Sequence, residues 1–273
     1  VNQIKERSFY DCNDLKFVEF TENSQLCLID DFAFSFSSLE KISFPSSVKR
    51  IGEGAFSWCK SLKTIEFSEN CELQKIDKEA FLGTSIEKLR IPMNLEEIGE
   101  RAFYECNELK LIEFPNNSKI YLIDKFAFSF TSIEKVHFPS SIKKIGENAF
   151  SDCRNLQIVG FAENSEIDSI EKDSFFQSSI EIVSIPLKVT TICEKAFSWC
   201  KNLKSIEFHP NSELCSIEKD AFSSSSLTMI SIPSKVQKIG ENAFFGCKTL
   251  KSINFSIKSE LSFIDKCAFS KSS

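Results

Sequence analysis

The chain is short of the residue most used in enzymatic proton chemistry: its 273 residues include only two histidines, His137 and His209. Nucleophile–base catalysis usually draws on histidine. Neither one is accompanied by a Ser or Cys that departs from the pattern described below. No H-E-x-x-H, Gly-rich phosphate loop or paired-acid motif occurs, so the expectation is a protein that is not an enzyme. C-x-x-C is also missing, which with so few histidines argues against a zinc site and leaves no metal or cofactor expected. Glycine, at 8 residues, is too scarce for a turn-dense sandwich or barrel. An excess of positive charge is lacking as well, since 33 Lys and Arg stand against 39 Asp and Glu. That balance gives no footprint for nucleic acid. No run of 18 apolar residues exists, so no membrane insertion is expected within the segment. The chain opens Val-Asn-Gln without Met or an apolar leader and stops inside its own pattern. It is therefore expected to be part of a longer protein, with any signal or anchor outside the segment.

What is present is periodicity. Hydrophobic residues make up 42% of the chain and Phe alone accounts for 28 residues. Ile recurs at 4, 51, 98, 145, 192 and 239, and a second series at 29, 76, 123, 170, 217 and 264, each with a 47-residue step. Interleaved, the two series advance by 25 and then 22 residues without an indel, giving about twelve rungs over residues 1–273. Five residues after each Ile comes a Phe, from Phe9 to Phe269, always preceded by Ala or Ser.

Each rung continues into an L/I-x-x-I/V/L-x-F/I segment, as in Leu62-Lys-Thr-Ile65-Glu-Phe67. The alternation marks a strand with one buried face. Short rungs place Pro at 45, 92, 139, 186 and 233, where a missing N–H ends a ladder. Long rungs carry Asn-Ser or a variant, which suits a turn. One rung cannot bury its apolar face alone, so neighbours must stack at roughly 4.8 Å into a parallel sheet with a continuous Phe ladder. The Ala or Ser before each Phe is small because a larger group would push the rungs apart.

The pattern I-G-E-x-A-F-x-x-C-x-x-L-x-x-I-x-F, seen at 145–161 with its last turn changed, resembles the BspA-like leucine-rich-repeat family over essentially the whole chain. The resemblance implies a single α/β-type solenoid: a right-handed superhelix with the parallel sheet on its concave face and short helical or irregular turns on the convex side. It also implies a cell-surface or secreted location, because similar proteins occur on some bacteria and parasitic protists. Adhesion to host cells or matrix proteins is the implied role. The Phe-, Ser- and Asn-rich, Gly-poor style is closer to the protist members. An intracellular scaffold with a cytoplasmic partner, and a structural protein associating end to end, are the alternative readings.

Six of the eleven Cys (12, 59, 106, 153, 200 and 247) share one place eight residues past the Ile of each long rung. Short rungs hold Ser or Thr there, at 37, 84, 131, 178, 225 and 272. The column is a slot for a small, weakly polar, buried side chain. Its cysteines lie two rungs apart, about 9.6 Å, beyond the reach of a disulfide. Cys27, Cys71, Cys193, Cys215 and Cys267 lie off this column and read as individual thiols.

Most distinctive residues thus belong to packing, and departures from the repeat on the outward strand positions remain for function. Leu111, Ile158, Ile182 and Met229 place apolar groups where other strands carry Lys, Thr or Ser, and Gly160 replaces the usual Glu. With Ser184, and with Glu113, Lys135, His137 and Glu207 as a polar rim, they form a candidate protein-contact patch. The competing reading is that scattered exposed Ile and Leu are ordinary. Two sequons, Asn116-Asn-Ser118 and Asn254-Phe-Ser256, matter only for a secreted chain.

Overall fold

The computed structural model describes residues 1–21 and 23–272, and the chain divides into two compact units, Val1–Ile133 and Glu134–Ser273. In unit 1 the strands run β1 (Gln3–Ile4), β2 (Phe17–Val18), β3 (Leu28–Ile29), β4 (Lys41–Phe44), β5 (Arg50–Ile51), β6 (Thr64–Phe67), β7 (Lys75–Ile76), β8 (Lys88–Arg90), β9 (Glu97–Ile98), β10 (Leu111–Glu113) and β11 (Leu122–Ile123). In unit 2 they run β12 (Lys135–Phe138), β13 (Lys144–Ile145), β14 (Ile158–Phe161), β15 (Ser169–Ile170), β16 (Ile182–Ile185), β17 (Thr191–Ile192), β18 (Ser205–Phe208), β19 (Ser216–Ile217), β20 (Met229–Ile232), β21 (Lys238–Ile239), β22 (Ser252–Phe255) and β23 (Phe263–Ile264).

Every described pairing is parallel and in register with the repeat. The even-numbered strands are the predicted ones: Val18 pairs with Ile42, Ile42 with Ile65, and Ile112 with Leu89 in unit 1. Val136, Val159, Val183 and Ile206 line up in unit 2. Their burial alternates as the sequence pattern requires, exposed then buried, for example over Lys41–Phe44 and Ile182–Ile185. The odd-numbered strands form a second parallel ladder that the sequence reading did not separate. In it the anchor isoleucines sit beside one another, Ile4 with Ile29, Ile29 with Ile51 and Ile51 with Ile76. Two-residue strands are too short to display a period, so only the structure reveals them.

Between the two ladders the expected helical turns are not found. Among the described residues there is no helix, so each unit is an all-β parallel solenoid rather than an α/β one. The backbone explains why. Phe32, Phe34 and Phe36 donate their N–H to Glu53, Ala55 and Ser57 of the next rung. The residues between them, Ala33, Ser35 and Ser37, donate within the rung to the carbonyl three residues back. An α-helix would need every N–H for its own i−4 carbonyl. Here half of them are spent on the neighbouring rung instead. The alternation is achieved by left-handed residues three and seven positions past each anchor, such as Phe32 (φ 54°) and Phe36 (φ 61°).

The core is a stack of identical layers. Phe rings from Phe9 to Phe128 in unit 1 lie 4.9–5.2 Å apart by centroid. Those from Phe150 to Phe269 in unit 2 lie 5.0–5.8 Å apart. Burying each such ring contributes roughly 1.5–3 kcal/mol. The carbonyl of the residue before one Phe accepts the N–H of the Phe one rung earlier, Phe34 to Ala55 and Phe56 to Ala80 at 2.8 and 2.7 Å. That closeness is why only Ala or Ser fits.

The Cys–Ser/Thr column is bonded as well as packed. Cys59, Cys106, Cys200 and Cys247 each donate to the carbonyl of a preceding Phe (Phe34, Phe81, Phe175 and Phe222) at 3.0–3.2 Å. Their sulfurs also lie 3.2–3.3 Å from the hydroxyls of Ser37, Thr84, Ser178 and Ser225. Burial pushes the thiol of Cys59 up to about 11 and those of Cys106 and Cys200 to about 12. Cys71, off this column, occupies a second small buried place, the one held by Ser118, Ser165 and Ser212 in other long rungs.

Candidate functional site

The outward side chains of the even-numbered strands are set by the pleat: one flank of each strand packs on the core, and the alternate residues face out. On these strands a polar habit recurs. Ser43 donates to Glu66 at 2.8 Å, Arg90 to Glu113 at 2.8 Å, Ser184 to Glu207 at 2.7 Å, and Asn254 to Ser231 at 3.4 Å. Each pair joins a short rung to the long rung after it. Beside the first pair, Lys41 also reaches Glu66 at 2.8 Å. The hydrogen bonds from Lys41 and Ser43 hold the Glu66 carboxyl below the usual carboxylate range.

In unit 2 the habit breaks once. His137 on β12 pairs in register with Gly160 on β14, where the other long rungs supply Glu or Asn. The imidazole lies over the glycine backbone: a Cβ at residue 160 would stand 2.2 Å from His137 Nδ1. In the neighbouring column Ile158 pairs in register with Ile182, which in turn pairs with Ser205. Ile158 and Ile182 are 50% and 52% exposed, and Met229 on β20 is 50% exposed. Lys135 flanks Ile158 on β12 and is exposed. Two adjacent β-branched side chains therefore sit on an open sheet face, bordered by Lys135, by His137 on its glycine seat and by the Ser184–Glu207 pair.

The remaining two candidates lie in unit 1. Leu111 on β10 is half-buried beside Lys88, and Glu113 is engaged by Arg90. Glu113 is thus part of the regular polar pairing of its own unit. His209 serves the backbone: its Nδ1 accepts the Asn211 N–H at 3.1 Å and closes the turn. Of the sequon residues, Asn116 is exposed while its Ser118 is buried, and Asn254 is exposed on β22. No helix among the described residues is long and apolar enough to cross a membrane. The surface clefts around Trp58 and Trp199 lie on the turns, where the period-2 strand pattern carries no signal.

A solved leucine-rich-repeat protein from Bacteroides ovatus is 28% identical with a TM-score of 0.82, covering 97% of this chain and 66% of its own. The chain therefore spans just under two thirds of that protein. The pneumococcal vaccine antigen PcpA shares the fold at 23% identity and a TM-score of 0.55, over 94% of this chain and 68% of its own. A leucine-rich-repeat protein from Eubacterium ventriosum does so at 20% identity and a TM-score of 0.52, over 92% and 82%. No curated protein matches the chain. The profile of the BspA type leucine rich repeat region matches in six copies, over residues 1–92, 74–192 and 168–273. Repeat regions of this kind are typically non-catalytic and support, in general terms, a protein-binding or surface role. With its 47-residue period and its parallel ladders, the chain belongs to the BspA-type leucine-rich-repeat family.

Proposed function

We propose that this chain is a non-catalytic adhesive module of a cell-surface or secreted protein, and that it binds a host-cell or matrix protein through the outer sheet face of unit 2. The observation that carries the reading is the pair Ile158 and Ile182, side by side in register and half exposed. They lie where the polar pairing lapses at Gly160. Apart from Phe17, Leu111 and Met229, the same face elsewhere on these strands is mostly Lys, Thr, Ser and paired Glu, a composition that keeps a sheet solvated. An apolar centre with a polar rim is the anatomy of a protein contact, and a few central side chains usually dominate its affinity. Beyond Ser205, Met229 on β20 adds a further exposed apolar group, while Lys135, His137, Ser184 and Glu207 supply rim donors and acceptors. The surface location rests on the family.

The test is binding of the purified chain to immobilised matrix proteins and to host-cell monolayers, against the double variant Ile158→Asp, Ile182→Asp. Because both side chains point outward, the variant is expected to keep its far-UV circular dichroism and lose binding at least tenfold, about 1.4 kcal/mol. Equal binding by wild type and variant would rule this face out.

A further inference from the structure

The segment Phe-Ser-Trp-Cys-Lys-x-Leu occurs twice, at 56–62 and 197–203, three 47-residue periods apart. Its two tryptophans, the only ones in the chain, each occupy the second left-handed position of a turn, with φ 58° at Trp58 and 61° at Trp199. That conformation costs an L-residue roughly 1–2 kcal/mol and is unusual for a bulky one. Equivalent places in other rungs hold Asp11, Gly83, Asp152 and Gly246, which suit it better, and also Phe36 and Phe130, so the tryptophans belong to a set of aromatic side chains carried at this turn position. At Trp199 packing does not account for the choice, because the side chain is 46% exposed. Trp58 lies flatter, its ring against Gly83, where a Cβ would stand 2.5 Å from a ring carbon.

Each tryptophan lines a surface cleft within its own unit. In unit 1 the cleft is about 610 Å³ and is lined by Asp11, Asn13, Phe36, Ser38, Trp58 and Lys60. In unit 2 it is about 430 Å³ and is lined by Arg154, Gln177, Ser179, Trp199, Lys201 and Asn202. The linings coincide in the repeat, Asn13 with Arg154, Phe36 with Gln177, Ser38 with Ser179, Trp58 with Trp199 and Lys60 with Lys201, while the carboxylate of Asp11 lines the unit 1 cleft alone. Both combine an indole, an ammonium group and short side chains that donate and accept. The ammonium of Lys60 sits 5.7 Å from the Trp58 ring centroid and that of Lys201 sits 5.0 Å from the Trp199 centroid. In unit 2, Arg154 is aimed by Asp152 at 3.0 Å and by Gln177 at 3.2 Å, leaving further guanidinium donors available.

We propose that these are two related carbohydrate sites, each taking one hexopyranose of a carboxylate-bearing glycan, with the unit 2 site the stronger because Arg154 stands where unit 1 has Asn13 beside the Asp11 carboxylate. A pyranose presents an apolar C–H face, which an indole stacks against, and a rim of hydroxyls that need both donors and acceptors. The amide, hydroxyl and guanidinium groups of the linings supply that rim. The lysine that lies over each indole swings off the ring as the pyranose stacks and gives the carboxylate its counter-charge. The two linings share no residue with the strand face around Ile158, so either reading can fail without the other.

Indole fluorescence reports on these two clefts and nothing else in the chain. The experiment titrates the protein with hyaluronan hexasaccharide, whose glucuronates carry the charge, and with chitohexaose as a neutral counterpart. Saturable quenching by hyaluronan is expected, with chitohexaose at least tenfold weaker. Trp199→Phe should leave only the Trp58 response at unchanged circular dichroism. Lys60→Gln with Lys201→Gln should bring hyaluronan down to the chitohexaose level. The two indole N–H cross-peaks in an ¹⁵N-labelled sample provide a second readout, and both should shift. Cross-peaks and fluorescence unmoved by either sugar would overturn the proposal. Equal affinity for the two sugars would overturn its acidic part.

Discussion

The imidazole of His137 fills the space that a side chain at residue 160 would need, since a Cβ there would come within 2.2 Å of its Nδ1. At three other such registers a Ser or Arg donor stands opposite a Glu acceptor, and at a fourth Asn254 donates to Ser231. The break is therefore a coupled change at two positions 23 residues apart in sequence and adjacent in register.

Restoring the pair is the direct test of what the break is for. The double variant His137→Ser, Gly160→Glu recreates the Ser43–Glu66 arrangement. Removing a strand glycine favours folding by about 0.5–1 kcal/mol, so its melting temperature is expected to hold or rise. Binding through the Ile158–Ile182 face should fall, because a charged carboxylate then borders the apolar centre. A double variant that binds like wild type would show that the lapse is incidental to recognition.

Much of this fold is written in side-chain spacing. The strand face followed from period-2 alternation, and the Phe and Cys columns from the 47-residue step, because a solenoid repeats its packing environment. The turns did not follow. Their left-handed positions are held by residues as different as Arg7, Phe32, Trp58 and Lys195, and only three are glycine, so composition gives no signal. The helical turns are implied by the family resemblance alone, and the inter-rung hydrogen bonds of Phe32, Phe34 and Phe36 exclude them. At the candidate site, Ile158 and Ile182 could be placed outward from the pattern alone. The engagement of Glu113 by Arg90, and the seat of His137 on Gly160, depend on side-chain direction and became visible only in three dimensions.

Ser174 occupies the place before Phe175 that Ala fills in most rungs, and its hydroxyl is buried without a hydrogen-bond partner. The Phe ladder of unit 2 is widest at the adjoining step, 5.8 Å between Phe150 and Phe175. An unsatisfied buried hydroxyl costs about 1–3 kcal/mol. Ser174→Ala is therefore expected to stabilise the chain by about 1 kcal/mol and to raise the midpoint of urea unfolding. A lowered midpoint would mean that the hydroxyl is satisfied in solution.

Thiol reactivity should sort by depth in the solenoid. Cys267 is exposed and Cys12, Cys27 and Cys215 are half-buried, whereas Cys59, Cys106, Cys153, Cys200 and Cys247 are buried. A thiol raised to about 11, as at Cys59, is ionised in only about one molecule in a thousand near pH 8, and the thiolate is the reactive form. Alkylation with iodoacetamide followed by peptide mapping should label Cys267 first. The five buried column thiols should be labelled only after unfolding. Early labelling of Cys106 or Cys200 would contradict the bonded column.

The same thiols make stability depend on alkaline pH, with a definite sign. In the unfolded chain a cysteine ionises near pH 8.5, while folded Cys106 and Cys200 hold their protons until about 12. Above the unfolded value the unfolded state carries fewer protons than the folded one, so raising the pH favours unfolding. The stability these thiols contribute is complete below about pH 8.5 and declines by about 1.4 kcal/mol per pH unit for each thiol as the pH rises toward the folded value. Urea midpoints should therefore fall steeply between about pH 8 and pH 10. Serine keeps a donor for the Phe81 and Phe175 carbonyls that the sulfurs now bond and does not ionise in this range. Cys106→Ser with Cys200→Ser should thus flatten the dependence relative to wild type, even if the variant is less stable at neutral pH. Parallel pH profiles for the two proteins would show that these buried thiols ionise without unfolding the rungs around them.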